Sequence, residues 1–556
     1  MAAGGVSDEA ITTTQASSSP LFLGIDLSTQ SITVVFVEAG GRVVHLDTLN
    51  FDRDLAQFGT VAGMHVGKHG QVTSPVQMWL EGLDRVLRRQ DRALMARVKA
   101  VSGSAQQHGS VFWNADGLQA LRNMAPVDSF SANLFDGFAL EDCPIWADSS
   151  TTAECEAIEQ AVGGPAKMAA VTGSRAYCRF TGPQIAKISR TQPLVWKHTA
   201  RVSLVSSFLT SLLVGHPAPV DASDASGMNL MNVHTLEWSE ELLEATAPGL
   251  AARLGTITKS WASAGPISPY CAARFGFAAD CLVIPATGDN NCSVVGMGLA
   301  FDTASSTLMV SLGTSDTLVG LTRTPHPGTE GHVMVSPRGP EEWFAMLCYK
   351  NGALARKAVR DAVAGGEWKK FSELVAEAPA GNDGCLGLTL VMEEIVPVLN
   401  VKGTFRVDGQ GEPVGGFGDA AHEARAVVEA RFLSMKAHAA QLGLSTSPTR
   451  ILATGGGSTS KAVMQVLADV FNAPVLVADT SDAAAVGAAL RAEHGLACRK
   501  QARWVDFVTS PPQGLKVVAT PNAEAVAAYS PAMLKRFLAF ERGVGMMQGQ
   551  TQQQQA

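Results

Sequence analysis

The sequence has no basic excess, no C-x-x-C pair and no apolar run long enough to cross a bilayer, and each absence removes a class of function. Lys and Arg number 43 against 51 Asp and Glu, giving a formal charge of −8. The positive field that nucleic-acid binding draws on is missing, so no nucleic-acid partner is expected. Nine cysteines are scattered at 143, 155, 178, 271, 281, 292, 348, 385 and 498. Unpaired spacing argues against zinc and redox motifs, and an odd count suits free thiols in a reducing compartment. The first twenty residues carry no Arg, as a loose tail would and an Arg-rich presequence would not. The most apolar stretch, Val202 to Val214, is interrupted by Ser203, Ser206, Ser207, Thr210 and Ser211 and falls short of the roughly 20 residues a spanning helix needs. It reads as a buried helix, and the cytoplasm, with no membrane partner, is the expected location. Only 17% of residues are charged and 46% are apolar, which excludes a disordered chain.

Glycine is plentiful, 54 of 556 residues, so many tight turns are expected. At roughly 150 residues per domain the length suggests three or four domains, and two large α/β lobes would use it equally well. Ordered structure is expected from Leu21, where an apolar run reaches Asp26. A second β-rich run, Ile32 to Val37, follows a short polar turn, and Gly40-Gly41 leads into a third at Arg42 to Leu46. Pro75 to Arg89 has helical apolar spacing and precedes a strand at Val98 to Val101. Far along the chain, Ser306 to Gly320 repeats the opening hairpin: Asp26-Leu-Ser-Thr29 aligns with Ser311-Leu-Gly-Thr314, a weak internal duplication. Glu423 to Leu442 reads as helix, Arg450 to Thr454 as strand, Gly455 to Ser458 as turn and Lys461 to Phe471 as helix. The stretch from Gln548 to Ala556, nearly all Gln, is expected to lack structure.

Several of these segments carry chemistry. A strand ending in Asp26 and turning through Ser28 and Thr29 offers N–H groups and hydroxyls to an anion and a carboxylate to hydrated Mg²⁺; an ordinary Asx turn uses the same residues. Two such hairpins facing each other would grip a triphosphate from both sides. The Gly455-Gly456-Gly457 turn lets backbone approach a ligand at a helix N-terminus, or simply packs. It lacks both G-x-G-x-x-G spacing and the Lys of a P-loop. An apolar strand, Cys281 to Ile284, delivers Gly288 and Asp289, and an Asp there can orient and deprotonate a hydroxyl or cap a helix. His108 is a ligand or a structural hydrogen-bonder, and Arg179 a polyol donor or a surface ion-pair partner. His65 and His69 have metal-like spacing, but Gly63, Gly67 and Gly70 argue against a helix there.

Together, Gly24-Ile-Asp-Leu-Ser-Thr-Gln30, Ser102 to Ser110, Pro144 to Ser150, Thr172 to Tyr177, Arg179-Phe-Thr-Gly182, Asp221 to Asn229, Gly288-Asp-Asn290, Ser311 to Ser315 and Ile451 to Gly456 resemble the FGGY family of carbohydrate kinases, and within it the eukaryotic xylulose kinases. They run in family order over residues 21 to 540. The resemblance implies an α/β fold of two actin/hexokinase-like (ribonuclease H-like) lobes, each a mixed five-stranded sheet flanked by helices, with the active site between them. It implies a tail at 1–20, an N-terminal lobe at 21–300 carrying the sugar site and base, a nucleotide-binding lobe at 301–545 and a second tail at 546–556. The implied reaction is ATP-dependent phosphorylation of D-xylulose to D-xylulose 5-phosphate, by a monomer or homodimer. Asp289 would be the general base, and His108, Arg179, Asp289 and Asn290 would line the ketose site. Asp26 would attend Mg²⁺. Thr29, Gly313 and Thr314 would meet the phosphates of ATP, while Gly456, Gly457, Ser460 and Trp368 would flank the adenosine. Ser460 stands where relatives usually have Asn, replacing an amide that could read the nucleotide by a hydroxyl. Ribulose or glycerol kinases, and a non-catalytic actin-like nucleotide switch, are the rival readings; the switch would lack a sugar site.

Overall fold

The structure, a computed structural model, describes residues 19–299, 306–339, 341–477, 482–501 and 514–553, with backbone alone for 547–553. The expectations for residues 1–18 and 554–556 lie outside the described residues. The opening meander forms as read: Leu21–Leu27, Ser31–Glu38 and Val43–Asn50 pair antiparallel in sequence. The first two strands are almost wholly buried, because their apolar residues face core on both sides. Val98–Ala105 then adds parallel to Leu21–Leu27, and Leu282–Val283 adds parallel to Val98–Ala105.

The second half repeats this pattern. Thr307–Leu312, Asp316–Thr322 and Trp343–Tyr349 form the antiparallel meander, Arg450–Thr454 adds parallel to the first of them, and Val475–Val477 adds parallel again. Each half therefore holds five strands of the same order and polarity, and the two hairpins both turn through three residues, 28–30 and 313–315. The duplication that the hairpin sequences hint at is a duplication of topology. The sheets are larger than the five strands expected. Both have seven among the described residues, because short edge strands extend them: Gly265–Pro266 and Thr287–Gly288 in the first, His332–Val335 and Lys516–Ala519 in the second. Strands of two to four residues carry too little alternation to be read from sequence.

Other elements depart from expectation for local reasons. The stretch 202–214 is strand before it is helix: Arg201–Leu204 pairs with Ser110–Trp113, and only Val205–Val214, all ten residues buried, is helical. The long helix begins at Ala420, earlier than its apolar pattern, because the Asp419 carboxylate caps Ala421 N–H. The last helix, Pro531–Gln553, runs through most of the Gln-rich stretch. Glutamine is a competent helix former and prolongs a helix already nucleated.

Separate apolar cores fill the two halves, and a third cluster of Phe180, Val294, Met297, Met309, Val319 and Phe344 joins them. The chain also crosses back. The Ala483–Gln501 helix, late in the sequence, packs on the first sheet, its Ala485, Ala489 and Ala492 against Phe22, Val35, Val37 and Ala100. Its Gly487 meets Gly296 of the Asp289–Gly296 helix so closely that a Cβ on Gly487 would lie 1.9 Å from the Cys292 carbonyl oxygen. Glycine is needed there for backbone contact.

Candidate active site

A cleft of about 760 Å³ opens between the halves, lined by His108, Arg179, Asp289 and Asn290 from the first and by Thr314 and Lys350 from the second. Asp289 is the first residue of its helix, following the short Thr287–Gly288 strand. Gly288 is closely packed: a Cβ there would sit 2.4 Å from Gln107 Cγ, so a larger residue would push the Gln107 side chain aside. Asp289 Oδ1 accepts the Asn290 N–H at 2.8 Å. Burial, and then the charge of Asp26, push the Asp289 carboxyl up to about 7. A carboxylate titrating there is matched to accepting a proton at neutral pH.

Asp26 is the penultimate residue of the first strand, and its Oδ2 accepts from Ser28 Oγ. Its Oδ1 is buried without a hydrogen-bond partner. Burial raises its pKa, the Ser28 and Ser104 hydroxyls oppose the rise, and Asp482 adds to it. Asp26 thus stands between two carboxylates, raised by the charge of Asp482 and itself raising Asp289. Among the described residues no cluster of three His, Cys, Asp or Glu could hold a metal by itself. An orphaned carboxylate oxygen beside a second carboxylate fits hydrated Mg²⁺, which takes one or two protein ligands and completes its shell with phosphates and water.

On the wall formed by the first half, His108 is buried at a φ of 68° with its ring stacked on Phe180, centroids 4.2 Å apart. Its Nδ1–H donates to the Gly227 carbonyl at 2.8 Å, which leaves Nε2 as an acceptor. Burial, then the Arg179 charge, hold its pKa down to about 3, so the ring is neutral. Arg179 donates from Nη2 to His332 Nε2 at 2.9 Å, across from one half to the other. Burial, then Arg179, keep His332 neutral as well. Asn290 Nδ2 donates to Gln107 Oε1 at 3.0 Å, and Gln107 Nε2 donates to Asn291 Oδ1 at 3.1 Å. The cleft wall therefore offers an imidazole acceptor, a guanidinium fork, an amide and a carboxylate, a set suited to a polyhydroxylated ligand. Sequence reading misses Gln107 in this wall and the buried Phe180 and His332 that back it. Gln107 adjoins His108 and could have been found, whereas His332 lies on a strand of the other half with no motif around it.

The phosphate and nucleotide candidates form the other side. Trp146 Nε1–H donates to Thr29 Oγ1 at 2.8 Å, which ties the first hairpin turn to the cleft lip. The Gly313 N–H donates to the Ser315 carbonyl, 3.2 Å away, and in this hairpin turn Thr314 and Ser315 line the cleft. Gly457 presses on Leu312, where a Cβ would approach to 2.7 Å, while a Cβ on Gly456 would meet nothing. The glycine turn thus packs beside the strand end leading to Thr314 and leaves Gly456 open to a ligand. Ser460 caps the Lys461–Phe471 helix, accepting the Val463 N–H, and its hydroxyl lies 2.8 Å from Ser372 Oγ. The hydroxyl in place of an amide is therefore engaged with protein. Ser372 belongs to the Trp368–Glu377 helix, so Trp368 heads a helix joined to the glycine turn; its ring is half-exposed and carries the Arg360 guanidinium 4.4 Å from its centroid. Trp368, Gly456, Gly457 and Ser460 lie outside the lining of this cleft. His65 is spent on Asp142 and the Phe58 carbonyl, each 3.0 Å away, and His69 lies in a turn at φ 55°.

Comparison with known proteins gives the family. Residues 136–296 match the FGGY family of carbohydrate kinases, N-terminal domain, and residues 308–496 match its C-terminal domain. Xylulose kinase of Mus musculus is 44% identical over 527 residues, 94% of both chains. Xylulose kinase 2 of Arabidopsis thaliana is 42% identical over 499 residues, 87% of this chain and 89% of that one. Among solved structures, a xyloylose kinase from Brucella ovis superposes with a TM-score of 0.76 at 20% identity over 95% of this chain and 100% of that one. A ligand-bound xylulose kinase from Lactobacillus acidophilus gives 0.74 at 18% identity, covering 94% and 98%. With both domains matched in order across a cleft built by duplicated sheets, this chain belongs to the FGGY family of carbohydrate kinases.

Proposed function

We propose that the protein transfers the γ-phosphoryl group of ATP to the terminal hydroxyl of D-xylulose, giving D-xylulose 5-phosphate and ADP. The observation that carries this reading is Asp289: a carboxylate raised to about 7 sits in a cleft where His108, Arg179 and Asn290 meet the Thr314 hairpin of the other half. His108 Nε2 accepts from a sugar hydroxyl, Arg179 and Asn290 donate to sugar oxygens, and Asp289 orients the attacking hydroxyl and receives its proton. In a loose transition state alignment matters more than proton removal, so these positioning contacts supply much of the rate. Mg²⁺, held beside Asp26, would neutralise charge on the phosphates. The free thiols support a reducing cytoplasm as the compartment.

ADP release measured across a panel of ketoses and polyols tests the reading. D-Xylulose is expected to give the highest kcat/KM; ADP release independent of any sugar, or a preference for glycerol or ribulose, would reject it. Arg179→Ala is expected to raise KM for the ketose about tenfold to a hundredfold, the worth of one charged hydrogen bond, with nucleotide binding by calorimetry unchanged. Asp26→Asn should increase the Mg²⁺ concentration needed for half-maximal rate, and a wild-type titration curve would remove Asp26 from the metal site.

A further inference from the structure

The strand His332–Val335 belongs to the second sheet, where it pairs antiparallel with Trp343–Tyr349. The first half grips the same strand. The Val333 N–H donates to the Gly173 carbonyl at 2.8 Å, the Val335 N–H donates to Ser226 Oγ at 3.0 Å, and Ser223 Oγ donates to the Val335 carbonyl at 2.6 Å. Gly173 comes so close that a Cβ on it would lie 1.8 Å from the Val333 carbonyl oxygen. Ser223 Oγ also accepts from Asn291 Nδ2 at 2.6 Å, on the helix that Asp289 heads. The backbone that carries His332 is therefore fixed from both halves, and through Ser223 it is tied to the helix of the base.

The His332 ring is buried against two residues that bracket Arg179 in the chain: Tyr177, edge-on with centroids 4.5 Å apart, and Phe180, with centroids 5.3 Å apart. The Arg179 guanidinium lies 5.5 Å and 6.0 Å from the centroids of the same two rings and donates from Nη2 to His332 Nε2 at 2.9 Å. A guanidinium only donates, so Nε2 must accept and the ring proton rests on Nδ1. Nδ1 is buried and, among the described residues, has no hydrogen-bond partner. An unpaired buried N–H carries a desolvation cost that an apolar side chain of similar size would avoid. Packing alone does not account for histidine at this position; an acceptor for Arg179 does.

We propose that His332 is a positioning residue of the sugar site: its Nε2, brought from the second half, aims the Arg179 fork into the cleft. The role rests on the proposed ketose reaction, in which Arg179 donates to sugar oxygens. Contact with the faces of Tyr177 and Phe180 lets a guanidinium slide, whereas a directional N–H···N bond fixes which of its edges faces the ligand. Holding one donor against His332 leaves the remaining donors of the guanidinium for the sugar. The rotamer freedom of a long side chain is then lost in the free protein and not on binding, which favours affinity. The second half, which carries the phosphate-facing hairpin, in this way also sets ketose affinity.

The test compares His332→Phe, which keeps a ring against Tyr177 and Phe180 but has no acceptor, with His332→Gln, whose Oε1 can accept from Arg179. His332→Phe is expected to raise KM for D-xylulose about tenfold, the lower worth of a charged hydrogen bond, with KM for ATP unchanged. His332→Gln is expected to recover most of that loss; a role in packing alone would rank the two variants the other way. In an Arg179→Ala background His332→Phe should add no further rise, because no fork is left to aim. A wild-type ketose KM in His332→Phe, a loss that His332→Gln does not recover, or the full rise again on top of Arg179→Ala would overturn the proposal. If His332→Phe does not fold, His332→Leu, smaller and equally without an acceptor, carries the same expectation. A wild-type protein that releases no ADP with any ketose would fail the functional reading and take this role with it, whereas a ketose-active protein indifferent to His332→Phe would remove His332 alone.

Discussion

Asp289→Asn is expected to lower kcat by about 10²- to 10⁴-fold, the usual worth of a general base, while ATP affinity stays near wild type. Asparagine keeps the size and can still accept the Asn290 N–H, so the loss isolates proton acceptance and orientation from packing. The pH dependence follows from the same carboxyl. Because its pKa in the folded protein is about 7, the base is protonated and inactive below that value. The kcat/KM for the ketose therefore rises with pH on a limb centred near 7 and levels above it. Stability runs the other way. A carboxyl raised from its ordinary value of 3.8 favours the folded state only while protonated, so that contribution is complete below about pH 4 and lost as pH climbs through about 7. Thermal melts should show Asp289→Asn gaining on the wild-type protein across that window and running parallel above it. An acid limb near 4, or no gain in the melts, would mean that Asp289 is solvated and does not act as the base.

Gly487→Ala is the second large effect. Its methyl would lie 1.9 Å from the Cys292 carbonyl oxygen and 2.9 Å from Gly296 N, both backbone atoms that cannot rotate away. The helices must separate, which costs about 1–3 kcal/mol or more as overpacking does, and lowers the melting temperature. Cys292 is on the helix that Asp289 heads, so the separation shifts the base as well. A displacement of about 1 Å at the reacting group can cost on the order of 10²-fold in rate. Gly543→Ala provides the control: it lies in the last helix with nothing near its Cβ, and should be neutral or stabilising by about 0.4–1 kcal/mol. Equal melting temperatures and rates for Gly487→Ala and the wild-type protein would refute this close crossing.

Legibility differed between elements for physical reasons. The hairpins, the Arg450–Thr454 strand and the Lys461–Phe471 helix were readable because their pattern is local: apolar runs bounded by Gly, Ser and Thr. The strand at Arg201–Leu204 was hidden inside an apolar run, since continuous burial looks alike in strand and helix. His332 could not be read at all. Its meaning comes from Arg179, 153 positions earlier, meeting it across the cleft.

By itself the chain order determined that two similar hairpins exist, that Asp26 and Asp289 each end an apolar approach to a turn, and which kinase family supplies the nearest pattern. These properties are written in neighbours along the backbone. Only tertiary packing decided that the Ala483–Gln501 helix returns to the first sheet, that Asp289 is lifted towards neutrality by burial and by Asp26, and that Arg179 meets His332 across the cleft. Desolvation and through-space charge depend on what folding brings together, and no short window of sequence contains them.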